Sequence, residues 1–89
     1  MTEKYVRNMF VRSGKLDNHS YLINGRQCFE VNEIGLFIWN CFNSPTSIDD
    51  VQEEVFSNYA GRNNDRMKKE ICDFIRLLID YDLIAKVTT

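Results

Sequence analysis

An α+β fold is predicted for this chain: an N-terminal three-stranded antiparallel β-sheet followed by three α-helices, in the winged helix-turn-helix-like order with the wing placed first. Three observations predict it. Short runs of mixed apolar and polar residues, bounded by Ser-Gly, Asp-Asn and Asn-Gly, fill residues 9–31. Two helix-start signatures follow, at Asn32 and Ser47. A third amphipathic stretch then runs from Asp65 to about Tyr81.

Residues 1–8 read as an N-terminal tail, and residues 9–87 as one domain. Met9 to Arg12 and Ser20 to Ile23 read as strands joined by turns. Asn24-Gly25 is the strongest local signal, because both residues tolerate the positive φ of a type I′ turn; Ser20 to Ile23 and Gln27 to Val31 should therefore pair as a hairpin. Period-2 alternation sets Phe29 and Val31 on one face of the second strand, toward the core, and Cys28 and Glu30 on the other.

Asn32 is the expected N-cap of the first helix, with Glu33 complementing the dipole of its first turn. Ile34, Ile38, Trp39, Cys41 and Phe42 give that helix a broad apolar stripe, and Ser44-Pro45 breaks it. Ser47 restarts the chain as an N-cap with Asp50 at the third helical position. Ile48, Val51, Val55, Phe56 and Tyr59 keep helical spacing to about Tyr59, and Gly61 is a natural C-cap. The third helix carries Met67, Ile71, Phe74, Ile75 and Leu78 in one stripe, flanked by Cys72 and Ile79 on one side and by Leu77 and Tyr81 on the other. This stripe is wider than one core contact needs. Leu83, Ile84 and Val87 in the closing segment suit either packing or a short strand.

Composition narrows the function classes. At 89 residues the chain holds one modest core, too small for a deep catalytic cleft with its supporting shell. It is 44% hydrophobic and 27% charged, and none of its apolar runs approaches the roughly 20 residues of a membrane helix. The N-terminus lacks the apolar core of a secretory signal, which leaves the cytoplasm as the expected location. Cys28, Cys41 and Cys72 are odd in number and widely spaced, so free thiols are expected rather than a disulfide framework or a zinc site. No P-loop, dinucleotide glycine motif or HExxH is present, and the single histidine, His19, sits in a polar turn-like stretch; the chain is not expected to be an enzyme or to carry a cofactor or metal.

DNA binding by a winged-helix regulator is the rival reading, and the charges oppose it. A recognition helix must bring Lys or Arg to phosphates. The second helix instead carries Asp49, Asp50, Glu53 and Glu54 with no basic residue, and on the third Arg66, Lys68, Lys69 and Arg76 are outnumbered by Asp65, Glu70, Asp73, Asp80 and Asp82. Residues 1–30, by contrast, hold five Lys/Arg against three acids, a balance that favours an acidic peptide lying against the strands. An open hairpin edge can take an extended peptide as an added strand. The same edge could pair with its own copy, giving a homodimer.

The Val31-Asn32 step, the Gly-x-x-Ile-Trp run from Gly35 to Trp39 and the helix start from Thr46 to Val51 resemble the PqqD-like family across about residues 9 to 87. These small domains recognise the leader segment of a ribosomally made precursor peptide and present it to a modifying enzyme. The resemblance departs at Asn43-Ser44-Pro45, where many relatives use glycine or a charged residue. It implies a stand-alone, non-catalytic adaptor acting in trans on a separate enzyme, either a radical S-adenosylmethionine maturase or a peptidase or cyclase of the lasso type. In the family the leader adds to the last strand of the sheet and lies in a groove against the third helix. Carried to matching positions, the peptide-binding residues are Gln27, Cys28, Phe29, Glu30 and Val31 on the edge and Lys68, Lys69, Cys72, Asp73, Arg76 and Ile79 on the facing wall. Phe29 and Val31 also have the pattern of core residues, and Lys68, Lys69 and Arg76 that of a solvated face.

Overall fold

The computed structural model describes residues 3–60 and 65–87. Gly61, the expected C-cap, lies outside the described residues. The fold is α+β, with three α-helices and six strands, and the strands form two antiparallel three-stranded sheets where a single sheet was expected.

The first sheet has the order β5-β1-β6 and joins distant parts of the chain. Its middle strand is β1, Lys4–Arg7, in the segment expected to be a tail. On one side β1 pairs with β5, Thr46–Ser47, through Lys4 opposite Ser47 and Tyr5 opposite Thr46. On the other it pairs with β6, Ile84–Lys86, through Tyr5 opposite Lys86, Val6 opposite Ala85 and Arg7 opposite Ile84. The closing segment is thus a strand as well as a source of core residues, since Leu83 and Ile84 are buried. None of these strands exceeds four residues, and each is defined by partners about 40 to 80 positions away, so no local alternation announces it.

The second sheet is local, in the order β2-β3-β4. β2 covers Arg12–Leu16, β3 His19–Asn24 and β4 Gln27–Val31. The expected strand over Met9 to Arg12 is corrected: Asn8–Val11 is a β-turn closed by the Val11 N–H donating to the Asn8 carbonyl at 3.0 Å, with Met9 and Phe10 at its tip. The turn between β3 and β4 also differs from expectation. Asn24 pairs with Gln27, so the two loop residues are Gly25 and Arg26, and only Gly25 has positive φ, at 61°. Glycine first with an ordinary second residue is the type II′ pattern. The loop with both φ values positive is Asp17-Asn18, at 52° and 67°, which joins β2 to β3.

The helices start where their caps predict. In α1, Glu33–Cys41, the Gly35 N–H donates to Asn32 Oδ1 at 2.7 Å. In α2, Ile48–Val55, the Asp50 N–H donates to Ser47 Oγ at 3.1 Å. The expected course of this helix to Tyr59 continues as a wider π-turn over Phe56–Ala60, with the Asn58 side-chain amide donating to the Glu54 carbonyl at 2.7 Å. α3 covers Asp65–Asp80.

One core unites these elements. Leu22 comes from β3, Ile38 from α1, Val51 and Val55 from α2, Ile75 and Leu78 from α3, and Leu83 from the segment before β6; all are fully buried. Phe29 and Val31 point to this core as the alternation predicts, with Val31 buried and Phe29 half-buried, while Cys28 and Glu30 are exposed. Trp39 is buried and its indole N–H finds the Leu83 carbonyl at 3.2 Å, which meets the polar requirement of a buried ring. The Arg7 guanidinium lies 5.0 Å from the centre of that ring, a cation-π distance.

Candidate functional site

The β2-β3-β4 sheet has one saturated strand and two open ones among the described residues. β3 is paired on both sides, whereas β2 and β4 each pair with β3 alone among the described residues. An unpaired edge keeps backbone N–H and C=O groups free for an incoming strand. β4 runs straight into the cap of α1, which fixes its end, and beside it lies the C-terminal half of α3: the Phe29 and Tyr81 rings are 4.8 Å apart at an interplanar angle of 50°.

The two flanks of the α3 stripe meet different neighbours. Phe74 and Leu77 on α3 and Tyr81 just past its end, whose N–H donates to the Leu77 carbonyl at 3.1 Å, follow a three-then-four spacing and lie in one line. Phe74 is half-buried against the start of α1, where a Cβ on Gly35 would stand 3.0 Å from its Cζ. Tyr81 packs on Phe29, and Leu77 between them is 38% exposed. This line thus runs from the start of α1, at Phe74, to β4, at Tyr81. A cavity of about 130 Å³ continues it toward the N-terminal half of α3, lined by Ile34, Gly35, Met67, Glu70 and Phe74 among others.

On the opposite flank, the Gln52 side-chain amide of α2 donates to Cys72 Sγ at 2.9 Å, and Lys68 borders a cleft of about 540 Å³ whose other lining comes from α2 and the π-turn after it. Ile79, seven residues after Cys72, lies on the same flank and packs against the core.

The structure therefore divides the residues expected to form the site. Gln27, Cys28, Phe29, Glu30 and Val31 form the open strand. Lys69 and Asp73 are exposed on the outward side of α3, on the four-residue ridge that runs to Leu77. Arg76 is exposed one turn after Cys72. Lys68 borders the cleft beside α2, Cys72 is exposed and takes the Gln52 amide, and Ile79 packs against the core. Sequence reasoning set Leu77 and Tyr81 on the other border of the stripe and did not choose them; the signal available was the aromatic at the end of the helix, which suits packing on a hairpin.

Electrostatics add two features. His19 Nδ1 is 2.9 Å from Glu30 Oε2, so the outer face of the strand carries a pair rather than an isolated carboxylate. Burial, and secondarily the Glu54 carboxylate, pushes the Cys41 thiol above its ordinary pKa, making it a poorer nucleophile. No described helix is long and apolar enough to cross a membrane.

A family model described as coenzyme PQQ synthesis protein D (PqqD) matches residues 19–84. This span contains the β3-β4 hairpin, all three helices and the start of β6. No curated protein and no solved structure matches the chain.

Proposed function

Because the chain belongs to the PqqD family, a family of recognition elements for ribosomally made precursor peptides, we propose that it is a non-catalytic adaptor that binds a precursor's leader segment and holds it near a separate modifying enzyme. The observation that carries the reading is a five-residue strand with one edge unpaired among the described residues, joined through the Phe29–Tyr81 contact to the apolar line of Tyr81, Leu77 and Phe74. Such an edge gives affinity through backbone hydrogen bonds, and the apolar line joined to it gives specificity through alternate side chains. The leader adds antiparallel or parallel to β4 over Gln27 to Val31, sets apolar side chains on Leu77 and Tyr81, and passes Lys69, Asp73 and Arg76 along α3. Held in this way, the core peptide reaches the enzyme at a high effective concentration without any reaction on this chain.

The wing and helices also suit a winged helix-turn-helix description, but the exposed acids of α2, Asp49, Asp50, Glu53 and Glu54, oppose approach to a phosphate backbone and disfavour the DNA-binding alternative.

The test is a backbone amide NMR titration with the leader peptide encoded beside this gene. Shifts concentrated in Gln27 to Val31 and along Phe74 to Tyr81 are expected. Shifts absent from β4 would reject strand addition at this edge, and a titration with duplex DNA that moved α2 or α3 would favour the regulator.

A further inference from the structure

Met9 and Phe10 are the most exposed large apolar side chains among the described residues, at 84% and 77%. They occupy the tip of a β-turn, where Gly, Pro, Asn, Asp and Ser are the usual occupants and each has a conformational reason to be there. The turn is also braced. The Phe10 N–H donates to Asn8 Oδ1 at 2.9 Å, the Asn8 side-chain amide donates to the Asp82 carbonyl at 3.0 Å, and the Asn8 N–H donates to the Leu83 carbonyl at 3.1 Å. A rigid support thus presents two apolar side chains to water. Arg7 and Arg12 line the same groove, and no carboxylate does so among the described residues.

A complementary surface exists on this same chain. Between α1 and α2 lies an open cleft of about 490 Å³ with Phe37 and Cys41 among its lining and the carboxylates of Asp50, Glu53 and Glu54 around it, with no cation among its described lining residues. Apolar side chains beside two arginines match an apolar-lined cleft beside three carboxylates. The two surfaces adjoin: Asn43 borders both, and Arg7 Nη1 donates to Asn40 Oδ1 of the acidic cleft at 3.3 Å. In a two-fold pair, a turn that meets the partner's cleft makes the same contact twice, so such an assembly closes.

We propose that the chain forms a two-fold dimer in which the Met9-Phe10 turn of each copy seats in the acidic α1–α2 cleft of its partner, with Arg7 and Arg12 facing the carboxylates. Neither surface includes a residue of β4 or α3, so the dimer leaves the peptide edge open on both copies and does not depend on leader binding. Such a dimer offers two leader sites.

Sedimentation velocity of the full chain over a range of concentrations tests the proposal. The expected result is a mass rising from the 10.5 kDa of one chain to twice that value. Phe10→Ser, at a position too exposed to matter to the core, is expected to weaken association at least about tenfold, as loss of a central apolar anchor does. Glu53→Lys with Glu54→Lys should do the same from the other side, and mixing this variant with the Met9→Ser/Phe10→Ser chain should restore association above that of either alone, because each supplies the surface the other lacks. Circular dichroism of each variant checks that the fold is kept. A wild-type chain that stays monomeric at all concentrations overturns the proposal, as does a Phe10→Ser chain that associates like the wild type. Leader affinity measured on the Phe10→Ser chain should equal that of the wild type; failure of leader binding in both chains would fall on the adaptor reading and leave the dimer standing.

Discussion

Helix α3 has two half-apolar borders that look alike in sequence and meet different surroundings in the fold. On one border Phe74 packs on the start of α1 and Tyr81, just past the helix end, on Phe29 of β4, while on the other Cys72 takes the Gln52 amide of α2 and Lys68 borders the cleft beside that helix. The difference teaches that a wide stripe identifies a helix with more than one apolar duty, but only the packing partner tells which border is already used.

The comparison can be broken outright at the shared centre. Ile75 is fully buried between the two borders, and Ile75→Ala is expected to cost about 3 kcal/mol by denaturant unfolding, enough to loosen both. Sharpening it requires the borders one at a time. Leu77→Asp should weaken leader binding about tenfold by isothermal titration calorimetry, whereas Lys68→Ala and Cys72→Ala should stay within about twofold. Equal losses on both borders would contradict the assignment of the apolar line. A smaller effect comes from Gly35→Ala, whose Cβ would stand 3.0 Å from Phe74 Cζ and 3.1 Å from Asn32 Oδ1. It should cost about 1 kcal/mol and displace Phe74, seen as a shift of the ring's NMR signals with those of Cys72 unmoved.

The smallest effect lies away from both borders. Burial raises the Cys41 thiol above its ordinary value of 9.0. The unfolded thiol therefore loses its proton first as pH rises, so the stability carried by the protonated form is complete below that value and fades as pH climbs through the folded pKa. A thermal melt should fall more steeply at alkaline pH in the wild type than in Cys41→Ala.

The features readable from sequence were those that short stretches determine alone. Asn32 and Ser47 each satisfy an N–H within three residues, so both helix starts were legible. The β4 span and its inward Phe29 and Val31 followed from alternation. The β5-β1-β6 sheet was not legible, because the strand character of Lys4–Arg7 comes from partners at both far ends of the fold. The turn at Asn24-Gly25 was misread by one position for a related reason: Asn24 is taken up by pairing with Gln27, and a two-residue loop is set by register as much as by preference. Of the candidate site, the span of β4 was legible, whereas the neighbours that each border of α3 meets were not, since Leu77 and Cys72 do not differ in spacing.

Trp39 gives the molecule an optical consequence. It is the only tryptophan in the chain, it is sealed in the core with its N–H on the Leu83 carbonyl, and its ring lies under Arg7 at the groove of the Met9-Phe10 turn. Its fluorescence is therefore a built-in reporter of a single neighbourhood. Unfolding should shift the emission to longer wavelength, a visitor that pulls the Arg7 guanidinium away should change its intensity, and a strand arriving at β4 should leave it dark to the event.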